Sequence, residues 1–215
     1  MLNLIQAYYP LEKQDVKEFE TIKVGGMKFH VQQYYAKDFG NISRMSATGM
    51  FGLMKMDTII INPFHKDMPL FSYDFIQAMK NNTLLIEQYD TLLDSSIRDI
   101  IQNKMKDLIT SFDKVKDEPY ESHWYDSLYL DKVSFRKKGK NMKDYFETIT
   151  LKYLKEYLEI SIDIPQCDPS LKKEAARKYT EGLLSHGGPS TDVFIKKKGK
   201  EFTGKLFREV LFGTN

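Results

Sequence analysis

The chemistry this chain offers centres on Asp74, a carboxylate inside the otherwise apolar run Leu70, Phe71, Ser72, Tyr73, Asp74, Phe75, Ile76. Aromatic and β-branched residues at this density read as a strand. Strand side chains alternate, so Leu70, Ser72, Asp74 and Ile76 share one face while Phe71, Tyr73, Phe75 and Gln77 share the other. A turn centred on Lys80 and Asn81 sets Asp74 opposite Glu87, and a slip of one or two residues sets it opposite Gln88 or Tyr89. On the other side, a turn over residues 64–68 sets Thr58 opposite Asp74. Two carboxylates on paired strands repel, so one keeps its proton to near neutrality and can serve as an acid. A satisfied structural carboxylate would show the same spacing, and both readings stand.

Other candidates are fewer. His186 is a second possible acid, with an ordinary pKa of about 6.5, although histidine is also common at helix C-termini for electrostatic reasons. His30 falls on the polar face of an alternating stretch with no cysteine or second histidine at ligand spacing, so no metal site is expected. The lone Cys167 cannot form an internal disulfide or hold an iron–sulfur cluster. Met50, Met54 and Met56 form a face able to adapt to a flat ligand or simply to fill a core. Neither Gly-x-Gly-x-x-Gly after a strand, nor a Walker loop, nor Gly-x-Ser-x-Gly is present, so nucleotide cofactors and a serine hydrolase are not indicated.

The elements that must position these residues read as follows. Residues 1–20 form a peripheral helix or arm, and residues 23–36 alternate as a half-buried strand. Residues 44–47 lead into a meander of three antiparallel strands over 50–90, joined by connections too short for parallel crossovers. Asp94 to Ser96 cap a helix carrying Ile97, Ile100, Ile101, Met105, Leu108, Ile109 and Phe112 at helical spacing. After a loop over 114–121, strands resume over 124–136. Asn141 opens a long helix, Asp168-Pro169 starts another that Gly187 to Pro189 stop, and a last helix covers about 200–211. The order strands, helix, strands, three helices is α+β. Apolar residues on both strand faces call for helical layers on both sides, a three-layer α/β/α sandwich with a central antiparallel sheet and a helix-rich C-terminal third.

Three segments carry a resemblance. Residues 69–74, PLFSYD, resemble the P-L-F-G-x-D signature of the ferredoxin-dependent bilin reductases. Residues 199–212, GKEFTGKLFREVLF, resemble that family's closing segment, and residues 127–140, SLYLDKVSFRKKGK, resemble its arginine-bearing strand. The likeness extends from about Met27 onward. It implies a linear tetrapyrrole bound between the sheet and the C-terminal helices, with electrons from an external ferredoxin-like donor and no tightly bound cofactor. Asp74 would donate the proton with Glu87 as its partner, and Arg136 would hold a substrate propionate. Thr58 or Asp57 occupies the place of a histidine found in the phycocyanobilin-forming members. Phe71, Ser72, Met54 and Met56 are the expected substrate contacts. The family's Asn-Asp pair before the last helix is replaced by Ser185-His186-Gly187-Gly188, which leaves substrate and product open. A non-catalytic haem or bilin carrier of the same fold is the main alternative, and a reductase for another tetrapyrrole, like the related red chlorophyll catabolite reductases, is a third.

Composition bounds the rest. With 215 residues, 41% hydrophobic and 29% charged, the chain suits one domain that folds without staples. A net charge of +2 gives no case for nucleic acid. Neither a signal peptide nor a membrane span is read, so a soluble, cytoplasmic monomer is expected. The lysine-rich stretches 136–140 and 196–200 are either solvated turns or a means of steering an acidic redox partner.

Overall fold

A computed structural model describes residues 1–112, 115–119 and 121–215, with the backbone alone at 189. The expected loop over 114–121 includes residues 114 and 120, which lie outside the described residues. The elements are α1 (Leu2–Tyr8), β1 (Leu11–Gln14), β2 (Thr21–Val24), β3 (Met27–Ala36), β4 (Gly40–Gly49), β5 (Met54–Asn62), β6 (Leu70–Ala78) and β7 (Asn81–Tyr89), then α2 (Ser96–Thr110), β8 (Phe135–Lys140), α3 (Lys143–Asp163), α4 (Pro169–His186), α5 (Pro189–Lys198) and α6 (Lys200–Lys205). The last of these widens into a π-helical turn over Leu206–Leu211.

The strands form one eight-stranded sheet in the order β1-β3-β4-β5-β6-β7-β8, with β2 pairing β3 beside β1. Every pairing is antiparallel. Even residues of β5 and β6 face α4–α6, the front, and odd residues face α1–α3, the back. Behind the sheet, Ile59, Ile61, Phe71, Leu84 and Ile86 pack with Ile101 and Met105 of α2 and Tyr153, Leu154 and Tyr157 of α3. In front, Val31, Met45, Ile60 and Tyr89 pack with Tyr179 of α4, Phe194 of α5 and Leu206, Phe207 and Leu211 of the C-terminal helix. This is the expected three-layer α+β sandwich. Among the described residues no helix is long and apolar enough to cross a membrane.

Several boundaries differ from the sequence reading. The stretch 23–36 is broken by Gly25 and Gly26, both at positive φ, into a β2–β3 hairpin. Residues 50–52 form a 3-10 turn, so the first meander strand begins at Met54. The strand expected over 124–136 is two 3-10 turns, Asp126–Leu128 and Asp131–Val133, and only Phe135 begins a strand. Helix α5 follows the Gly187-Gly188 break directly and has a single fully buried apolar residue, Phe194, which is why no apolar stripe announced it.

Strand β4 was legible only as residues 44–47, because the first half of its front face is polar where apolar residues are the usual sign. Asn41 and Ser43 are buried and serve as latches. Asn41 Nδ2 donates to the Val210 and Leu211 carbonyls at 3.2 and 3.1 Å, and Ser43 Oγ donates to the Leu211 carbonyl at 2.8 Å. Asn62 Nδ2 of β5 adds a bond to the Phe212 carbonyl at 2.7 Å. A helix end leaves carbonyls without intrahelical donors, and here the sheet supplies them, fixing the C-terminal layer over β4 and β5.

A second fastening lies near the same end of the sheet, beside the β5–β6 connection. Lys172 of α4 is fully buried and donates to Asp67 Oδ1 at 3.0 Å and to the Thr91 carbonyl at 2.5 Å. Asp67 also accepts from the backbone N–H groups of Leu93 and Asp94 at 2.9 and 2.8 Å. Burial lowers the Lys172 pKa, and the Asp67 carboxylate opposes that fall. An ion pair this deep holds because each partner is compensated by the other and by further hydrogen bonds.

Candidate functional site

The latched C-terminal layer does not close fully on the sheet. Between them lies a cavity of about 220 Å³. Its floor is the front face of the central strands: Met56 and Thr58 of β5, Ser72, Asp74 and Ile76 of β6, Leu85 and Glu87 of β7, and Arg136 of β8. Its roof includes Tyr179, Leu183, Phe207 and Phe212.

Register brings the polar floor residues together. Thr58 pairs across strands with Asp74, as expected. The Thr58 hydroxyl donates to Asp74 Oδ1 at 2.5 Å, and the Ser72 hydroxyl lies 3.4 Å from Oδ2. The β6–β7 turn is centred one residue earlier than expected, on Met79 and Lys80 with Ala78 paired to Asn81, so Asp74 faces Leu85 and Glu87 faces Ser72. Glu87 is therefore a diagonal neighbour of Asp74, about 7 Å away by sheet geometry rather than directly opposite. It still shares the face, since the slip is two residues and the period is two.

Glu87 is occupied. Its Oε1 accepts from Arg136 Nε at 2.7 Å and lies 2.5 Å from the second guanidinium nitrogen, while the Tyr89 hydroxyl donates to Oε2 at 2.8 Å. Burial pulls the Arg136 pKa down, but the charge and hydrogen bond of Glu87 outweigh it and the net shift is upward. Arg136 thus lies on the cavity floor with its charge already met by a carboxylate.

Asp74 is different in kind. It is half-buried on the cavity floor, and removal from bulk water raises its pKa from 3.8 to about 6. The Thr58 hydrogen bond works against the rise, the negative charge of Glu87 adds to it, the Ser72 hydrogen bond lowers it, and Asp57 adds a smaller upward push. A carboxyl group with this value exchanges its proton close to neutrality, the condition for general acid catalysis.

Four expected site residues lie elsewhere. Asp57 is on the back face, where Arg44 Nε and its neighbouring amine donate to the two carboxylate oxygens at 2.8 and 3.2 Å. It reaches Asp74 only through its charge, because adjacent strand residues point to opposite faces. Phe71 also points back, its ring 5.9 and 5.2 Å from those of Tyr153 and Tyr157. Met54 lies at the end of the sheet and borders a surface groove, leaving Met56 as the methionine of the cavity wall. His186 ends α4 beside the Trp124 ring, 5.6 Å away, and is not on the wall.

The wall histidine is His123, stacked on Tyr125 at 4.8 Å. It belongs to a set that the sequence reading passed over: Tyr89, Tyr125 and Tyr179 meet with ring centroids 4.2 to 5.9 Å apart and wall one side of the cavity. Burial raises the pKa of all three, so they stay neutral. The density of aromatic residues in His123-Trp124-Tyr125 was the available sign. Trp124 is seated by Gly182, where a Cβ would run into the indole, and by a bond from Nε1 to the Gly187 carbonyl at 3.0 Å. The segment from Ser185 to Gly188 thus anchors the aromatic wall.

The site combines flat aromatic and methionine surfaces, one protonatable carboxyl group and one compensated guanidinium. Such walls suit a planar conjugated ligand. Among the described residues no cluster of three His, Cys, Asp or Glu side chains is placed to hold a metal ion.

No sequence family matches the chain, and no curated protein matches it by sequence. Solved structures do. The crystal structure of selenomethionine phytochromobilin synthase from tomato in complex with biliverdin aligns with a TM-score of 0.77, covering 99% of this chain and 80% of that chain at 14% identity. The likeness establishes a shared fold.

Proposed function

We propose that this protein binds a linear tetrapyrrole in the front cavity and reduces it, taking single electrons from a ferredoxin-like donor and protons from Asp74. The observation that carries this reading is the Asp74 carboxyl group, raised to about 6 and facing an aromatic-walled cavity between the sheet and the C-terminal helices. The fold shared with a phytochromobilin synthase crystallised with biliverdin supports the ligand class.

In this reading each electron added to the conjugated system makes the pigment more basic, and Asp74 delivers a proton to it. Thr58 and Ser72 orient the carboxyl group and moderate its acidity. Glu87 keeps negative charge nearby, which favours the protonated form of Asp74 between turnovers. Arg136 takes a propionate by sharing its guanidinium with Glu87, which stays paired because a buried carboxylate without its counter-charge is costly. The cavity, at about 220 Å³, is below the roughly 300–1,000 Å³ of ordinary ligand pockets, so the pigment enters as the Arg136–Glu87 pair and the roof residues yield.

The closed Arg136–Glu87 pair favours a second reading, a carrier that binds haem or a bilin without changing it. One experiment separates them. Biliverdin titrated into the protein should shift and sharpen its long-wavelength absorption in either case, and an unchanged spectrum refutes both. With reduced ferredoxin under anaerobic conditions, loss of that absorption with formation of a reduced bilin supports the reductase. Tight binding without product, across several tetrapyrroles, supports the carrier.

A further inference from the structure

One end of the sheet is built against the usual rule for turns. The β2–β3, β4–β5 and β6–β7 turns and the end of β8 all lie there, because the strands between them are antiparallel neighbours. Turn tips ordinarily carry polar residues, Gly or Pro. Here the β4–β5 tip is Met50, Phe51, Gly52 and Leu53, and the β6–β7 tip is Met79 and Lys80. Phe51 is fully exposed, and Met50, Leu53 and Met79 are 65%, 55% and 66% exposed. The two tips are joined, since the Met79 N–H donates to the Leu53 carbonyl at 2.9 Å. Met50, Phe51 and Met79 all have φ between +50° and +54°, the left-handed region where Gly and Asn are usual. Neither packing nor backbone preference selects bulky apolar residues at these positions.

The surroundings are cationic. Lys23, Lys28, Lys55, Lys80 and Lys140 are exposed at the same end, and none has a carboxylate partner among the described residues. The expected steering stretch 136–140 is mostly neutralised, with Arg136, Lys137 and Lys138 paired to Glu87, Asp117 and Glu118. An apolar centre ringed by unpaired lysines is the arrangement of a docking surface for an acidic protein, in which the centre supplies contact energy and the ring supplies steering and orientation.

The end also lies close to the cavity. Ile76 on the cavity floor is three residues from Met79, about 10 Å along the strand. Resting on the reductase reading, we propose that this apolar, lysine-ringed end of the sheet is the docking surface for the electron donor, a small acidic one-electron carrier protein. Each docking event passes one electron from the reduced carrier, which leaves oxidised. Two events and two protons reduce one double bond of the pigment.

The test uses the full chain and oxidised plant-type [2Fe–2S] ferredoxin, with binding measured by calorimetry at low and high salt. Wild type should bind, more weakly as salt rises. Phe51→Ser and the pair Lys55→Glu, Lys80→Glu should each weaken binding at least tenfold while leaving the biliverdin titration unchanged, which also reports that the variants fold. Wild-type affinity in both variants, or no ferredoxin binding by wild type, overturns the proposal. So does binding of the tips to phosphatidylglycerol vesicles in place of ferredoxin. If ferredoxin binds through the tips but neither it nor reduced methyl viologen drives bilin reduction, the docking surface stands and the reductase reading fails. If viologen drives reduction and both variants accept electrons from ferredoxin as well as wild type does, the reductase stands and the docking surface fails.

Discussion

Replacing Asp74 by Asn keeps the size of the side chain and its ability to accept from Thr58, but removes the exchangeable proton and the buried charge. Burial raises the Asp74 pKa from 3.8 to about 6. Between those values the folded protein binds the proton more tightly than the unfolded chain, so stability falls as pH rises through this window and levels off above it. At about 1.4 kcal/mol per tenfold change in proton affinity, ionising Asp74 costs the fold at most about 3 kcal/mol above pH 6, less to the extent that cavity water screens it. Asp74→Asn carries no such cost. Urea denaturation at pH 4, 6 and 8 should therefore show the variant gaining on wild type by about 1 to 3 kcal/mol between the lowest and highest pH. Under anaerobic conditions with reduced ferredoxin, the same variant should bind biliverdin and stall after electron transfer. If the stability difference between the two proteins is the same at all three pH values, Asp74 ionises as an ordinary surface carboxylate. The reasoning from burial would then be refuted. If the variant turns over normally, Asp74 is not the acid, and His123 on the cavity wall is the next residue to replace.

Three further outcomes are expected. Thr58→Val removes a hydrogen bond that holds the Asp74 pKa down, so the alkaline limb of the activity profile, where the acid loses its proton, should move to higher pH, read from initial rates between pH 5 and 9. Arg136→Ala should weaken biliverdin binding by about 1 to 3 kcal/mol in a spectral titration, because it removes a charge-assisted bond to a propionate; equal affinity would take Arg136 out of the ligand site. Lys172→Ala should destabilise the fold by about 3 to 5 kcal/mol, since it strands the Asp67 carboxylate in the interior, and the loss should appear as a lower midpoint in urea with no specific effect on the Asp74 pH profile.

Periodicity was sufficient for whatever depends on near neighbours in the chain. The alternation in residues 70–77 set Ser72 and Asp74 on one face and Phe71 and Tyr73 on the other, and the Thr58–Asp74 pairing followed from the turn between two strands. The spacing of Ile97, Ile101 and Met105, and the Asp168-Pro169 start of α4, marked helices because capping and amphipathicity are local. Apolar residues on both faces of the central strands required layers on both sides, hence the sandwich. Tertiary structure decided what no short window contains. The polar residues Asn41 and Ser43 belong in a strand only because carbonyls of residues 210 and 211 come to meet them. Asp57 and Phe71, neighbours of cavity residues in sequence, are turned to the back by the pleat and find Arg44 and Tyr157 there. Tyr89, Tyr125 and Tyr179 form one wall from three distant segments, and Glu87 meets Arg136 across a strand pair separated by 49 positions in sequence. Local preferences decide which residues become strand or helix. Which of them share a cavity is decided by the packing of layers, where burial and charge pairing act between residues that the chain keeps far apart.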